Sequence, residues 1–151
     1  LAPSKDGTIQ CYITNKMPLY DNDGEIIGVA GTTTSAEYFH EALKPYLTIA
    51  PTIEFIKENY QETISIPELA EMVNLKIRKF EGVFKEVFQI TPQAYIIQMR
   101  LHDACQKLTT TDMSIADIAT SVGFYDHSTF TRQFSKHMEI KPVKYRKKYR
   151  N

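Results

Sequence analysis

The sequence predicts a mainly α-helical protein, with two similar helical units joined by a linker helix and preceded by a short antiparallel β segment. Three observations carry this prediction. From Ile49 onward apolar residues recur at helical spacing, starting with Ile53, Ile56 and Tyr60. Two later stretches of the chain repeat each other in order. The first 34 residues instead are rich in β-forming residues around a turn signal at Asp21–Gly24.

The N-terminal β segment, residues 1–34, is predicted as two antiparallel strands. The stretches "TIQCYITNKM" and "EIIGVAGTTT" favour strands, and "DNDG" between them favours a turn. Two strands alone are not independently stable, so we expect them to complete a sheet with upstream chain or a partner. Because the chain starts at Leu1 rather than Met, we expect it to be part of a longer protein. Residues 35–48 are predicted as a helical connector with Ser35 as its N-cap.

The repeat pairs residues 64–95 with residues 113–145, with a one-residue slip inside a loop. Each copy opens with a capping-box pattern, followed by a small residue that lets a second helix approach closely. A turn residue that tolerates left-handed φ comes next, and then a helix with two phenylalanines four residues apart. This order is typical of a helix-turn-helix unit. The equivalent positions are Ser65 and Ser114, Glu68 and Asp117, Ala70 and Ala119, Asn74 and Gly123, Phe80 and Phe130, and Phe84 and Phe134.

The two units are predicted at about residues 64–88 and 114–138, joined by a linker helix over about residues 92–108. Thr91 is the expected cap of the linker helix and Pro92 lies in its first turn. A helix of that length measures about 25 Å. It would suit two recognition helices about one duplex turn, ~34 Å, apart. An ordinary core helix is the alternative, and both interpretations can hold.

The second unit offers polar side chains on the helix face opposite its phenylalanines. His127, Ser128, Thr131 and Arg132 project from the first turns, where recognition helices contact base edges. Arg132 suits a guanine edge, worth about 1–3 kcal/mol in discrimination, and a phosphate contact or surface ion pair is its alternative. Asp126 is predicted as the N-cap. A hydrolase triad of Asp126, His127 and Ser128 is not expected, because consecutive residues fan out around a helix start and a triad must converge.

The equivalent helix of the first unit presents a different set of side chains. Arg78, Lys79 and Lys85 are predicted phosphate contacts, and Glu81 could accept a hydrogen bond from a cytosine amino group. Gly82 has no side chain with which to read a base. The alternative, that this helix is mainly structural, therefore stays open.

Charge is distributed unevenly along the chain, although the formal net charge is 0. Residues 1–50 carry three lysines against six acidic residues, whereas residues 132–151 carry eight Lys and Arg residues against one acid. A basic end on a neutral chain indicates a polyanionic partner, here double-stranded DNA. Lys144 and Lys148 are further predicted phosphate contacts. The alternative is a solvated tail.

Several other classes of protein are disfavoured. No run of 18 apolar residues exists, so no membrane span is predicted. Cys11 and Cys105 lack metal-ligand or disulfide spacing, which favours free structural thiols in a reducing cytoplasm. The four histidines have no mutual ligand spacing and the six glycines form no phosphate-binding loop. We expect no metal, no cofactor, no catalytic residues and no enzymatic activity.

The stretch "MSIADIATSVGFYDHSTFTRQFSKHMEIKPVKYR" resembles the C-terminal helix-turn-helix of AraC/XylS-type transcription regulators, and the resemblance covers residues 49–148. It implies a cytoplasmic bacterial regulator whose two units dock in adjacent major grooves on one DNA face and which contacts RNA polymerase at a promoter. The family commonly has an arginine where this chain has Gly82. The matching features are the "VGF" turn, Asp126, the spacing Phe130-x-Arg132-x-Phe134 and the ending Pro142-x-x-Tyr145-Arg146.

The N-terminal stretch "NKMPLYDNDGEIIGVAGTTTS" is similar to the last two strands of a PAS sensor domain. This resemblance implies that an upstream sensor half controls activity, with room there for a small-molecule effector and for homodimer contacts. The alternative function is a ligand-sensing or dimerisation module whose DNA-binding unit is vestigial.

Overall fold

The structure, a computed structural model, describes residues 2–3, 9–10 and 12–150. The chain divides into two compact units, Leu1–Pro45 and Tyr46–Asn151. The predicted mainly α-helical fold is confirmed, with seven helices among the described residues. The strands are β1 (Ala2–Pro3), β2 (Ile9–Gln10), β3 (Tyr12–Tyr20) and β4 (Ile26–Ser35). The helices are α1 (Ala36–Asn59), α2 (Ile66–Met72), α3 (Ile77–Phe88), α4 (Pro92–Thr110), α5 (Ile115–Ser121), α6 (His127–Met138) and α7 (Pro142–Tyr149).

The predicted hairpin is confirmed by β3 and β4, which pair antiparallel from Tyr12 opposite Ser35 to the turn, with an irregularity between Leu19 and Tyr20. Asp21 organises the turn, because its Oδ1 accepts from the backbone N–H of Asp23 at 3.0 Å and that of Glu25 at 2.9 Å. The hairpin presents large apolar side chains to solvent, namely Met17, Leu19, Tyr20, Ile26, Ile27 and Val29. The predicted free thiol of Cys11 lies outside the described residues.

Helix α1 differs from the prediction, because the connector and the helix expected from Ile49 form one element, Ala36–Asn59. It begins directly after Ser35, whose side chain lies outside the described set. Proline in a helix interior removes one backbone hydrogen bond and normally bends or ends the helix, yet Pro45 and Pro51 both lie inside α1. Burial of the apolar face that includes Ile49 and Ile53 favours continuing the helix past Pro51.

Two hydrophobic cores lie in the unit formed by residues 46–151, one for each helix-turn-helix. The first joins α1, α2 and α3 with Ile96 of α4. The second joins α5 and α6 with Leu101, Ala104 and Leu108 of the same α4. The linker helix therefore belongs to both cores and connects them through packed side chains.

The internal repeat is visible as equivalent hydrogen bonds in the two turns. Leu75 donates its backbone N–H to Ala70 at 2.9 Å, and Phe124 donates to Ala119 at 2.9 Å. The turn residues have left-handed φ, +53° at Asn74 and +91° at Gly123. Equivalent ring pairs also recur edge to face, Phe84 with Tyr95 at 5.5 Å and Phe134 with Tyr145 at 5.3 Å between centroids. The two sequence copies therefore fold alike.

The two predicted capping boxes differ in the structure. Ser114 caps α5, since its Oγ accepts from the N–H of Asp117 at 3.1 Å and donates to the carboxylate of Asp117 at 2.7 Å. Ser65 is the N-cap residue of α2, as predicted, but its side chain makes no capping hydrogen bond. Pro67 lies at the start of α2 and lacks an N–H, which removes one of the donors that an N-cap normally satisfies.

We expect Gly82→Ala to stabilise the protein. Gly82 is exposed in α3, and a Cβ added there would meet no atom within 4 Å. Glycine in a helix interior costs about 1 kcal/mol relative to alanine, so the free energy of unfolding should rise by about that amount. Urea denaturation measures it, and a decrease would contradict the open surroundings of this position.

Candidate nucleic-acid interface

Helix α6 begins at a well-formed cap. The Asp126 carboxylate accepts from the Thr129 backbone N–H at 2.7 Å and from the Thr129 hydroxyl at 2.8 Å. These two hydrogen bonds hold the pKa of Asp126 below its usual range, and the charge of Arg132 lowers it further. The predicted N-cap is confirmed. The cap sets the direction of the first turn of α6 and so positions the polar side chains that follow.

The four polar residues predicted to read bases lie on the first two turns of α6. His127, Ser128 and Arg132 are exposed, and Thr131 is partly buried. The Oγ1 atom of Thr131 lies 3.5 Å from Nε2 of His127, a marginal hydrogen bond that places these two side chains side by side. The opposite face is anchored by Phe130 and Phe134, which are fully buried. The helix thus has the two faces that a recognition helix needs.

Helix α3 has the same anchoring and a different polar face. Arg78, Lys79, Glu81 and Lys85 are all exposed, and Phe80 and Phe84 anchor the buried side. Its N-cap is Lys76, which makes no side-chain capping bond, where α6 has an aspartate. Positive side chains therefore lie at the start of α3, where the backbone N–H groups of the helix also carry partial positive charge.

The basic side chains near the end of the chain fall into two groups, some exposed and some bonded to other parts of the fold. Lys144 and Lys148 of α7 are exposed, with the Lys148 Nζ 5.0 Å from the ring centre of Tyr149. Arg146 instead turns inward and donates to the backbone carbonyls of Leu108 at 3.3 Å and Met113 at 2.6 Å. Arg150 pairs with Asp112 at 2.6 Å. Part of the basic charge therefore holds α7 in place.

The Asp-His-Ser run has no triad geometry, because both carboxylate oxygens of Asp126 bond to Thr129.

Across the described ranges, no three histidine, cysteine or acidic residues gather as metal ligands would. Within the same part of the chain no helix has the length and apolar character of a membrane span. Cys105 is a free, half-buried cysteine, and burial raises the pKa of its thiol.

Sequence reasoning missed Arg100 of α4. Its guanidinium donates to two backbone carbonyls in the loop before α2, at Tyr60 and Glu62. The turn at Gly123 approaches the same loop, at Gln61. The left-handed turn was predictable from Gly123, but its contact with the loop at Gln61 was not. An arginine on a helix surface carries no sequence signal that separates a backbone contact from a phosphate contact.

The chain resembles known proteins over this region. A family model described as a helix-turn-helix domain matches residues 69–148. The melibiose operon regulatory protein of Escherichia coli K12 is 37% identical over 99 residues, which are 66% of this chain and 33% of that protein. The chain thus spans about a third of the length of that curated relative.

Solved structures share the fold. A transcriptional regulator from Chromobacterium violaceum, described as having an AraC-type DNA-binding domain, matches with a TM-score of 0.64 and 26% identity, over 69% of this chain and 93% of that one. The DNA-binding domain of AdpA, a global transcriptional factor solved in complex with a target DNA, matches with a TM-score of 0.64 and 24% identity, over 68% of this chain and 92% of that one.

Proposed function

This chain belongs to the AraC-type helix-turn-helix family of transcription regulators, which are not enzymes, and we propose that it recognises a specific DNA site with α3 and α6 in adjacent major grooves. The observation that carries the proposal is the repeated two-faced helix. Each unit buries two phenylalanines on one side and exposes a polar face on the other.

Base readout is assigned to α6. His127, Ser128, Thr131 and Arg132 lie in the first two turns, where recognition helices reach base edges. Arg132 carries two donors that match guanine O6 and N7. The Asp126 carboxylate is already occupied by Thr129, so it is left to cap the helix rather than to select a base.

Helix α3 is assigned mainly to the DNA backbone. Arg78, Lys79 and Lys85 supply phosphate contacts, joined by Lys144 and Lys148 of α7. Glu81 is the one candidate for base readout on α3, through a cytosine amino group. Gly82 leaves a gap in the middle of the exposed face. Sequence preference should therefore be stronger at the box that α6 contacts.

The upstream function is proposed from the hairpin. Its exposed apolar residues fit the end of a PAS-like sensor domain completed by chain outside residues 1–151. In that arrangement a small-molecule effector and homodimer contacts belong to the sensor, and the DNA-bound protein contacts RNA polymerase as an activator in the bacterial cytoplasm. The relative in E. coli is named for the melibiose operon.

The test of DNA recognition is selection of bound duplexes from a random pool at near-physiological salt, because phosphate contacts dominate affinity at low salt. Two enriched boxes about 10–10.5 bp apart would support readout by both units. One enriched box would assign sequence reading to α6 and backbone contact to α3. No enrichment would overturn the proposal.

Arg132→Ala is expected to weaken binding to the selected site about 10- to 100-fold, the worth of one bidentate base contact, with a smaller effect on random DNA. Lys136→Ala is the matched control, since it removes the same charge from an exposed position of the same helix. Titration of both variants against selected and random duplexes measures the difference. Equal losses on the two duplexes would show that Arg132 contacts only phosphate.

A second function is favoured by two residues of α3. Glu81 repels phosphates and Gly82 cannot read a base, as expected if the DNA-binding unit were vestigial in a sensing or dimerisation module. The selection experiment decides between the two functions. A vestigial unit predicts no enriched sequence and no change on Arg132→Ala.

A further inference from the structure

Arg100 connects the linker helix to the loop that precedes the first helix-turn-helix. Its Nε donates to the carbonyl of Tyr60 at 2.7 Å, and its Nη2 donates to the carbonyl of Glu62 at 2.8 Å. The guanidinium is half-buried, and burial lowers its pKa from the ordinary value. Both hydrogen bonds go to backbone carbonyls rather than to a carboxylate, so the side chain holds a particular loop conformation.

The second helix-turn-helix contacts this loop directly through its turn. A Cβ at Gly123 would lie 2.5 Å from the Gln61 carbonyl oxygen and 3.0 Å from Nε of Arg100. The next residue, Phe124, has its ring centre 5.8 Å from the Arg100 guanidinium carbon. Arg100 therefore lies where the loop of the first unit meets the turn of the second.

Neighbouring side chains support the loop from α4. The Tyr60 hydroxyl donates to the Asp103 carboxylate at 3.0 Å, and Gln61 donates to the same hydroxyl at 3.2 Å. Lys107 pairs with Asp103 at 2.5 Å. The 60–62 loop is thus attached to α4 at Arg100 and at Asp103, about one turn apart, and this holds the loop in place where the turn at Gly123 packs against it.

We propose that Arg100 is a positioning residue that sets the distance and rotation between the two recognition helices, and thereby the spacing between the two DNA boxes. The proposal rests on the proposed DNA-binding function. The term Arg100 clamp denotes Arg100, the carbonyls of Tyr60 and Glu62, and the turn at Gly123. Helix α4 connects the two helix-turn-helix units, and with this connection alone they could twist or bend relative to each other. The Arg100 clamp is a second connection, away from the axis of α4. Two separate connections fix the orientation of one helix-turn-helix unit relative to the other.

The physical consequence concerns DNA geometry. Adding one base pair between the boxes increases the distance between them by about 3.4 Å and rotates one box relative to the other by roughly 34°. A protein with a rigid connection meets both boxes at one spacing only, whereas a protein that can twist meets them at several. Loss of the clamp should therefore broaden the tolerated spacing without changing how either helix reads its own box.

The experiment measures the dissociation constants of the wild-type chain and of Arg100→Gln for duplexes in which the two selected boxes are shifted by −1, 0, +1 or +2 bp. Wild type should favour one spacing by about tenfold or more, the worth of a hydrogen bond to a charged group. Arg100→Gln should reduce this preference severalfold while its affinity for a single box stays unchanged. Arg100→Lys, which can keep the charge and one hydrogen bond, should fall between them.

Arg146→Gln is the matched control. Arg146 also donates to two backbone carbonyls, but both belong to residues of the second core or its edge, Leu108 and Met113. Its loss should lower stability without altering the spacing preference. If Arg100→Gln and Arg146→Gln both keep the wild-type preference, the proposal fails while DNA recognition stands. If the wild-type chain enriches no sequence at all, the proposed DNA recognition fails, and the positioning role of Arg100 is then tested by a distance measurement without DNA.

A distance measurement in the free protein tests the positioning role of Arg100 without DNA. It therefore still applies if one variant folds poorly or if the proposed DNA recognition fails. Spin labels on cysteines introduced at Glu86 of α3 and Lys136 of α6, both exposed, report the distance between the two recognition helices. The background carries Cys11→Ser and Cys105→Ala. Arg100→Gln should broaden the distance distribution, and Arg146→Gln should leave it narrow. An equally narrow distribution in both variants would overturn the proposal.

Discussion

Gly123→Ala is expected to lower the free energy of unfolding by about 2 kcal/mol or more, since a left-handed φ alone costs a residue with a Cβ about 1–2 kcal/mol. The φ of Gly123 is +91°, and the new Cβ would lie 2.5 Å from the carbonyl oxygen of Gln61. That neighbour is backbone, so it cannot move aside as a flexible side chain would. The loop or the turn must shift, which adds to the conformational cost.

Urea denaturation followed by circular dichroism measures this loss, and Gly82→Ala is the control. The two substitutions are chemically identical, but Gly82 has open surroundings in a regular helix. We expect opposite signs, with destabilisation at Gly123 and stabilisation at Gly82. A wild-type midpoint for Gly123→Ala would show that the turn and the 60–62 loop separate easily, which would also weaken the case for the Arg100 clamp.

Phe134→Ala and Phe84→Ala are each expected to cost about 3–5 kcal/mol, the usual price of truncating a buried aromatic ring. The two residues are equivalent in the repeat, and each is 0% exposed. Phe134 packs against Phe130 and Tyr145, and Phe84 packs against Phe80, Phe88 and Tyr95. Losses of this size are a large part of the free energy of unfolding of a typical domain, which is about 5–15 kcal/mol.

The variants Phe134→Ala and Phe84→Ala also test whether the two hydrophobic cores unfold together. Because α4 belongs to both cores, we expect either variant to unfold in one transition. Hydrogen exchange read separately on α3 and α6 should then show lower protection at both helices in each variant. Loss confined to the helix that carries the substitution would mean that the two units open independently.

Much of the fold could be predicted from local patterns. The phenylalanine pairs, the small residues Ala70 and Ala119 and the turn residues Asn74 and Gly123 each have a local physical role, and together they indicated two helix-turn-helix units. Asp126 was predictable as a cap for the same reason. These features depend on residues within a few positions along the chain, where spacing alone carries the information.

One failure is local, since the capping bond expected at Ser65 is absent beside Pro67. The others have longer-range causes. Helix α1 continues through Pro45 and Pro51 into a helix packed on the first core. Arg100 and Arg146 look like candidate DNA contacts in a list of charges, but each donates to carbonyls 33 to 40 residues away in sequence. Such partners depend on how helices pack, and no local spacing encodes them.

The predicted interface remains a prediction residue by residue. The structure gives His127, Ser128 and Arg132 exposed positions on α6, and it gives Arg78, Lys79, Glu81 and Lys85 exposed positions on α3. Exposure is necessary for DNA contact, but base preference also depends on the path of the duplex across both helices. The selection and spacing experiments measure that path directly.

The turn residues of the repeat differ in what they leave open to mutation. Asn74 and Gly123 occupy equivalent left-handed positions, but Asn74 is exposed with its side chain in place, whereas Gly123 lies against another backbone. If the repeat arose by duplication, both copies began with the same freedom at this position. Packing of the second copy against the first then restricted the choice of residue at one of the two turns only. Position 123 should therefore resist substitution over evolutionary time, whereas position 74 can change among residues that tolerate left-handed φ.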